Sequence, residues 1–145
     1  METIQEYEGA AVKRNAKILI IDDDSDFIES TKLILESGGY EVVVAKNGTE
    51  GLELVTLEDP DLIILDIMMD SMFEGFNVSA ALKMTTEYID YRDTPVLMVS
   101  SVRTEYGDRF DVPEGAEGIQ GDAYMDKPVE PKAFLVKVAE LLNAH

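Results

Sequence analysis

The chain has 145 residues, the size of one domain built on one hydrophobic core. Asp and Glu number 30 against 12 Lys and Arg, a net charge of -18, so the average surface repels a nucleic-acid backbone and no direct nucleic-acid partner is expected. With no Cys, the composition excludes disulfides, thiol chemistry and Cys-ligated zinc, and with the terminal His145 as its one His, catalysis built on an imidazole is not expected.

Residues 1–16 show no clear period, end in Lys13, Arg14 and Asn15, and read as a leader ahead of a domain over 17–145. Glu2, Glu6 and Glu8 stand where a signal peptide would be basic, and the longest apolar runs are only strand-length. The expectation is a soluble, cytoplasmic protein with no membrane partner. From Lys17 onward, β-branched runs alternate with amphipathic stretches. Strands are predicted at Ile18 to Ile21, Val42 to Ala45, Leu62 to Leu65, Val96 to Val99 and, more weakly, Ala123 to Met125. A first helix presents Phe27, Thr31, Ile34 and Leu35 on one face and stops at Gly38-Gly39. A second fits Thr49 to Leu57, closed by Asp59-Pro60. A third carries Phe76, Ala80 and Met84 four residues apart. The last starts at Pro131 and is predicted to bury Leu135, Val138 and Leu142. Ser101 to Gly121 is the least regular stretch, with room for one short helix near Val102 to Phe110. This alternation implies a parallel sheet covered by helices on both faces.

In such a sheet, ligands bind beyond the carboxyl ends of the strands, where the strand order reverses. The residues that end the runs are Asp22 and Asp23, then Asp66, Ser100 and Lys127. Taken singly, each has a plainer use: one of Asp24, Ser25 and Asp26 must cap the following helix, Ser100 suits a turn, and Lys127 suits the surface. Jointly they bring three carboxylates, a hydroxyl and an ammonium to one rim. Three carboxylates so close repel one another unless a cation joins them, and hard oxygen ligands suit Mg²⁺ better than a transition metal.

These residues and their surroundings resemble the receiver domain of bacterial two-component response regulators over roughly Ala16 to Ala144. The acidic pair matches Asp22 and Asp23 in Ile-Leu-Ile-Ile-Asp-Asp, and the phosphoacceptor matches Asp66 in Asp-Leu-Ile-Ile-Leu-Asp. The family's hydroxyl matches Ser100, its lysine matches Lys127 before Pro128, and its aromatic switch position matches Tyr124. The resemblance implies a flavodoxin-like, doubly wound α/β fold with a five-stranded parallel sheet in the order 2-1-3-4-5. It implies a signalling module, not an enzyme, that accepts a phosphoryl group on Asp66 from a sensor histidine kinase or phosphotransfer protein. Mg²⁺ would be held by Asp22, Asp23, Asp66 and the backbone carbonyl of Met68, while Lys127 and Ser100 would bind phosphoryl oxygens. Ser100 and Tyr124 would then switch the face formed by the fourth helix, fifth strand and fifth helix, through which a homodimer is also allowed. Lys127-Pro128 is a candidate cis peptide. Because the chain ends with its last helix, a stand-alone receiver of the chemotaxis-regulator kind is expected.

Two departures stand out. Asp70 occupies a position where the family has proline, with the following glycine arriving one place late as Gly75, and the stretch from Ser100 to Lys127 is longer than usual. Three other readings compete. A phosphohydrolase of the haloacid dehalogenase type would make Asp22 the nucleophile, in an Asp-x-Asp pattern with Asp24. A flavodoxin-like cofactor binder would have to cradle a phosphate in a first loop that here is acidic. A receiver that only binds, without phosphorylation, is the third.

Overall fold

Each apolar run becomes a strand because its side chains alternate between two buried faces. β1 (Lys17–Ile21), β2 (Glu41–Ala45), β3 (Leu62–Asp66), β4 (Val96–Ser100) and β5 (Ala123–Asp126) are joined by α1 (Ser25–Ser37), α2 (Gly48–Glu58), α3 (Glu74–Met84) and a 3-10 helix (Thr86–Tyr91), and α4 (Pro131–Ala144) follows β5. All strand pairs are parallel, in the order β2-β1-β3-β4-β5. The arrangement is the flavodoxin-like doubly wound fold. The structure is a computed structural model and describes residues 15–67, 69, 74–100 and 122–144. The leader up to residue 14, the short helix expected near Val102 to Phe110, and Met68 lie outside the described residues.

On one face, Ile18, Ile20, Leu62, Ile64, Leu97 and Val99 pack with Phe27, Leu35, Phe134 and Val138 from α1 and α4. On the other, Leu19, Ile21, Ile63, Leu65 and Met98 pack with Val55, Val78 and Leu82 from α2 and α3. The three central strands are therefore buried on both sides, which is why they read as unbroken apolar runs. Each fully buried Leu or Ile contributes about 1.5–3 kcal/mol over its exposed state.

The helix ends follow the sequence signals. Asp24 is the residue that caps α1, accepting from the Asp26 and Phe27 N–H groups at 3.1 and 3.3 Å. Gly39, at φ 92, supplies the left-handed turn that ends α1. Asn47 caps α2 by accepting from Glu50 N–H at 2.8 Å, and Glu50 Oε1 reaches back past the cap to accept from Lys46 N–H at 2.9 Å.

Two helical faces differ from expectation. Of the face expected at Phe76, Ala80 and Met84, Met84 is 68% exposed and Ala80 only half-buried, and the Phe76 side chain lies outside what the structure describes; Gly75, Val78, Ser79 and Leu82 are buried. Gly75 sets that phase. Its N–H donates to Ile67 carbonyl at 2.8 Å, and residues three, four and seven positions on share its face. In α4 the buried residues are Phe134, Val138, Leu141 and Leu142, with Leu135 only partly buried. The 3-10 helix was not expected. Lys83 ties its far end down, donating to the carbonyls of Arg92 and Thr94 at 3.0 and 2.9 Å and to Asp122 Oδ2 at 3.3 Å.

Candidate functional site

Strand register brings the candidate residues together. Ile21 pairs with Leu65, so Asp22, the next residue, lies beside Asp66. Asp66 pairs with Val99, and Ser100 pairs with Asp126, so Ser100 and Lys127 continue the same rim. The ladder extends past the strand ends: Asp22 N–H donates to Ala45 carbonyl at 3.0 Å, Ile67 N–H to Val99 carbonyl at 3.2 Å, and Lys127 N–H to Ser100 carbonyl at 2.9 Å. These bonds hold the backbones of all five strand ends at one edge, and the reversal of strand order between β1 and β3 opens the crevice above them.

The rim is acidic and largely buried. Asp22 and Asp66 are 0% and 4% exposed, Ser100 is 1% exposed, and Asp23 projects outward. One carboxylate oxygen from each of Asp22, Asp23 and Asp66 lies within 4.8 Å of the others. Lys127 is the cation that enters this cluster. Its Nζ is 2.9 Å from Asp22 Oδ2 and 3.6 Å from Asp66 Oδ2. Asp22 Oδ2 is thus paired with the ammonium, while Asp22 Oδ1 accepts from Asp24 N–H at 2.9 Å. The Lys127-Pro128 peptide is cis, as expected from the sequence.

Burial pushes the Asp22 carboxyl above its ordinary range, against the opposing pull of the Lys127 ammonium and the Asp24 amide. Burial alone would lower Lys127, yet Asp22, Asp66 and Asp24 outweigh it and hold the ammonium above its ordinary value. Both partners shift upward, for different reasons. Burial wins at Asp22, which faces one ammonium, and the carboxylates win at Lys127, which faces several of them.

The site has a rigid floor that the sequence pattern did not reveal. A Cβ on Gly75 would stand 2.5 Å from Ile67 Cα and closer still to the Asp66 carbonyl oxygen, so only glycine allows α3 to start against the backbone of Asp66. Next to it, Glu74 Oε2 accepts from Gly48 N–H at 2.8 Å and ties α3 to the first turn of α2. Tyr124 lies on β5 opposite Met98 and is 38% exposed. The Met68 carbonyl, expected as a metal ligand, falls outside the described residues.

The residues present fit a hard divalent cation. Three oxygen donors converge, and their negative charge exceeds what the one ammonium of Lys127 can balance. Among the described residues, no His or Cys joins them.

A doubly wound sheet with a carboxylate cluster at its switch point is a class of phosphate-handling and signalling domains. Residues 18–139 match the response regulator receiver domain family, and the chain belongs to it. It is 33% identical over 129 residues to the alkaline phosphatase synthesis transcriptional regulatory protein PhoP of Bacillus subtilis (strain 168), covering 89% of this chain and 49% of that protein. It is 35% identical over 122 residues to the nisin biosynthesis regulatory protein NisR of Lactococcus lactis subsp. lactis, covering 84% and 48%. Among solved structures it is similar to a CheY-like response regulator receiver domain protein from Methanospirillum hungatei JF-1. There the TM-score is 0.70 at 31% identity, over 89% of this chain and 94% of that one. The chain spans about half the length of the curated relatives it matches. The family assignment decides against the dehalogenase-type and cofactor-binding readings. Among the described residues, no helix is long and apolar enough to cross a membrane.

Proposed function

We propose that Asp66 accepts a phosphoryl group from a sensor histidine kinase or phosphotransfer protein, in a Mg²⁺-dependent reaction in the cytoplasm. The domain then acts by changing its protein contacts, not by turning over a substrate. The observation that carries this reading is the packing of the Asp22, Asp23 and Asp66 carboxylate oxygens within 4.8 Å of one another, with Lys127 Nζ 3.6 Å from Asp66.

One Asp66 carboxylate oxygen bonds to phosphorus as the bond from phosphorus to the donor nitrogen breaks, its electron pair leaving with the donor imidazole. The product is an acyl phosphate, and no side-chain base is needed. Lys127 pairs with one phosphoryl oxygen and Ser100 donates to another, both from positions fixed by the sheet. Asp22 and Asp23, with Asp66 and the Met68 carbonyl, would hold Mg²⁺, which would shield the attacking carboxylate from the phosphoryl charge. Phosphorylation then draws Ser100 toward the phosphoryl group and lets Tyr124 turn inward, shifting an equilibrium between two arrangements.

The test is labelling by acetyl phosphate with and without Mg²⁺. Wild type is expected to gain one phosphoryl group only with Mg²⁺, and Asp66→Asn to gain none. Equal labelling of the variant, or no labelling of wild type, contradicts the reading.

A further inference from the structure

The Lys127 ammonium makes a contact that the carboxylates do not explain. Its Nζ stands 4.4 Å from the centroid of the Phe27 ring, inside the roughly 6 Å range over which a ring face attracts a cation. Phe27 sits in the first turn of α1, 9% exposed, packed in the core cluster that includes Ile18, Ile20 and Phe134. Its placement is set by the same loop that carries the acidic residues. Asp24 accepts the Phe27 N–H at 3.3 Å and donates its own N–H to Asp22 Oδ1 at 2.9 Å. One short stretch, Asp22 to Phe27, therefore holds the ammonium twice, by charge and by a ring face.

We propose that Phe27 is a positioning residue for Lys127, its ring keeping the ammonium on the rim when the carboxylates are engaged by other partners. The inference rests on Asp66 being the acceptor. Asp22 and Asp66 are placed to hold a cation, and Asp66 also to bond phosphorus, so each engagement draws charge away from the lysine. The ring is anchored in the core by α1 and keeps its place. An unrestrained lysine stem samples many rotamers, and the ring selects those that leave Nζ pointing at the site. An aliphatic residue in the same space fills the core without offering a negative face.

Two readouts test this. In wild type the Lys127 Hε resonances are expected to be shifted upfield by the ring, with or without Mg²⁺, and to lose that shift in Phe27→Leu. The rate of Asp66 labelling by acetyl phosphate is expected to fall about three- to tenfold in Phe27→Leu. Phe27→Tyr should stay near wild type, and Mg²⁺ affinity by calorimetry should be unchanged in both variants. Unshifted Lys127 Hε resonances in wild type, labelling of Phe27→Leu at the wild-type rate, or equal slowing of Phe27→Tyr would each overturn the proposal. The wild-type resonances and the tyrosine variant keep the test decisive if the leucine variant does not fold. Wild-type labelling that survives in Asp66→Asn overturns the acceptor reading instead, and this inference with it.

Discussion

Lys127 Nζ, on the loop after β5, reaches past the ends of β4 and β3 to stand 2.9 Å from Asp22 Oδ2, on the loop after β1. A single ammonium is thus shared between Asp22 and Asp66, which stands 3.6 Å away. The shared cation leaves the carboxylate cluster short of positive charge, and the chemistry of the site follows from that deficit.

Replacing Asp22 by Asn should hold or raise the stability of the metal-free protein while lowering its Mg²⁺ affinity. The amide keeps an oxygen for Asp24 N–H, and Lys127 retains Asp66. Because burial raises the Asp22 pKa above 3.8, the folded protein binds that proton more readily than the unfolded chain. The cost of the charge is then present above the folded pKa and lifted as pH falls through it. Urea melts across pH should show the variant's advantage at neutral pH and its disappearance in acid. A variant clearly less stable at neutral pH would mean that Asp22 chiefly supports the loop.

Gly75→Ala should destabilise the fold by about 1–3 kcal/mol, the usual cost of forcing a methyl group into a packed site. Its Cβ would meet the backbone of Asp66 and Ile67, which cannot swing aside as a side-chain tip can. Movement of α3 would also shift Asp66, so Asp66 labelling should slow even under conditions where the variant is folded. Denaturant midpoints and labelling rates measured together check both effects.

The contrast between Gly75 and Met84 shows how far the sequence could be read. Strands and most helix ends were legible because parallel strands buried on both faces leave unbroken β-branched runs and because capping residues are short-range signals. Asp22, Asp23, Asp66, Ser100 and Lys127 were legible as strand-end residues through their joint placement, since each taken singly suits a cap, a turn or the surface. The α3 face was not. Its phase comes from contact between Gly75 and the Asp66 backbone, so a spacing of four through Phe76, Ala80 and Met84 looked equally good on the sequence. The ring of Phe27 under Lys127 was hidden for a related reason. Its apolar position explained it fully as core, and a residue five places after Asp22 meets the lysine only once α1 and β5 are in place.

Phosphorylation should be felt along β5 more than in α2. Lys127 N–H is bonded to Ser100 carbonyl, and Ser100 pairs with Asp126, so movement of either site residue pulls directly on the strand bearing Tyr124. On adding beryllofluoride with Mg²⁺, a stand-in for the phosphoryl group, amide resonances of Ala123 to Asp126 should shift more than those from Thr49 to Glu58. Equal shifts in both places would speak against Tyr124 as the switch.

The most direct measurement is to locate the phosphoryl group itself. Wild-type protein incubated with acetyl phosphate and Mg²⁺ is reduced to trap the acyl phosphate, digested, and the modified peptide sequenced by mass spectrometry. The expected result is modification of Asp66 alone, within Leu62–Asp66. Modification at Asp22, or an unmodified chain under conditions that saturate Mg²⁺, would contradict the assignment of Asp66 as the phosphoryl acceptor.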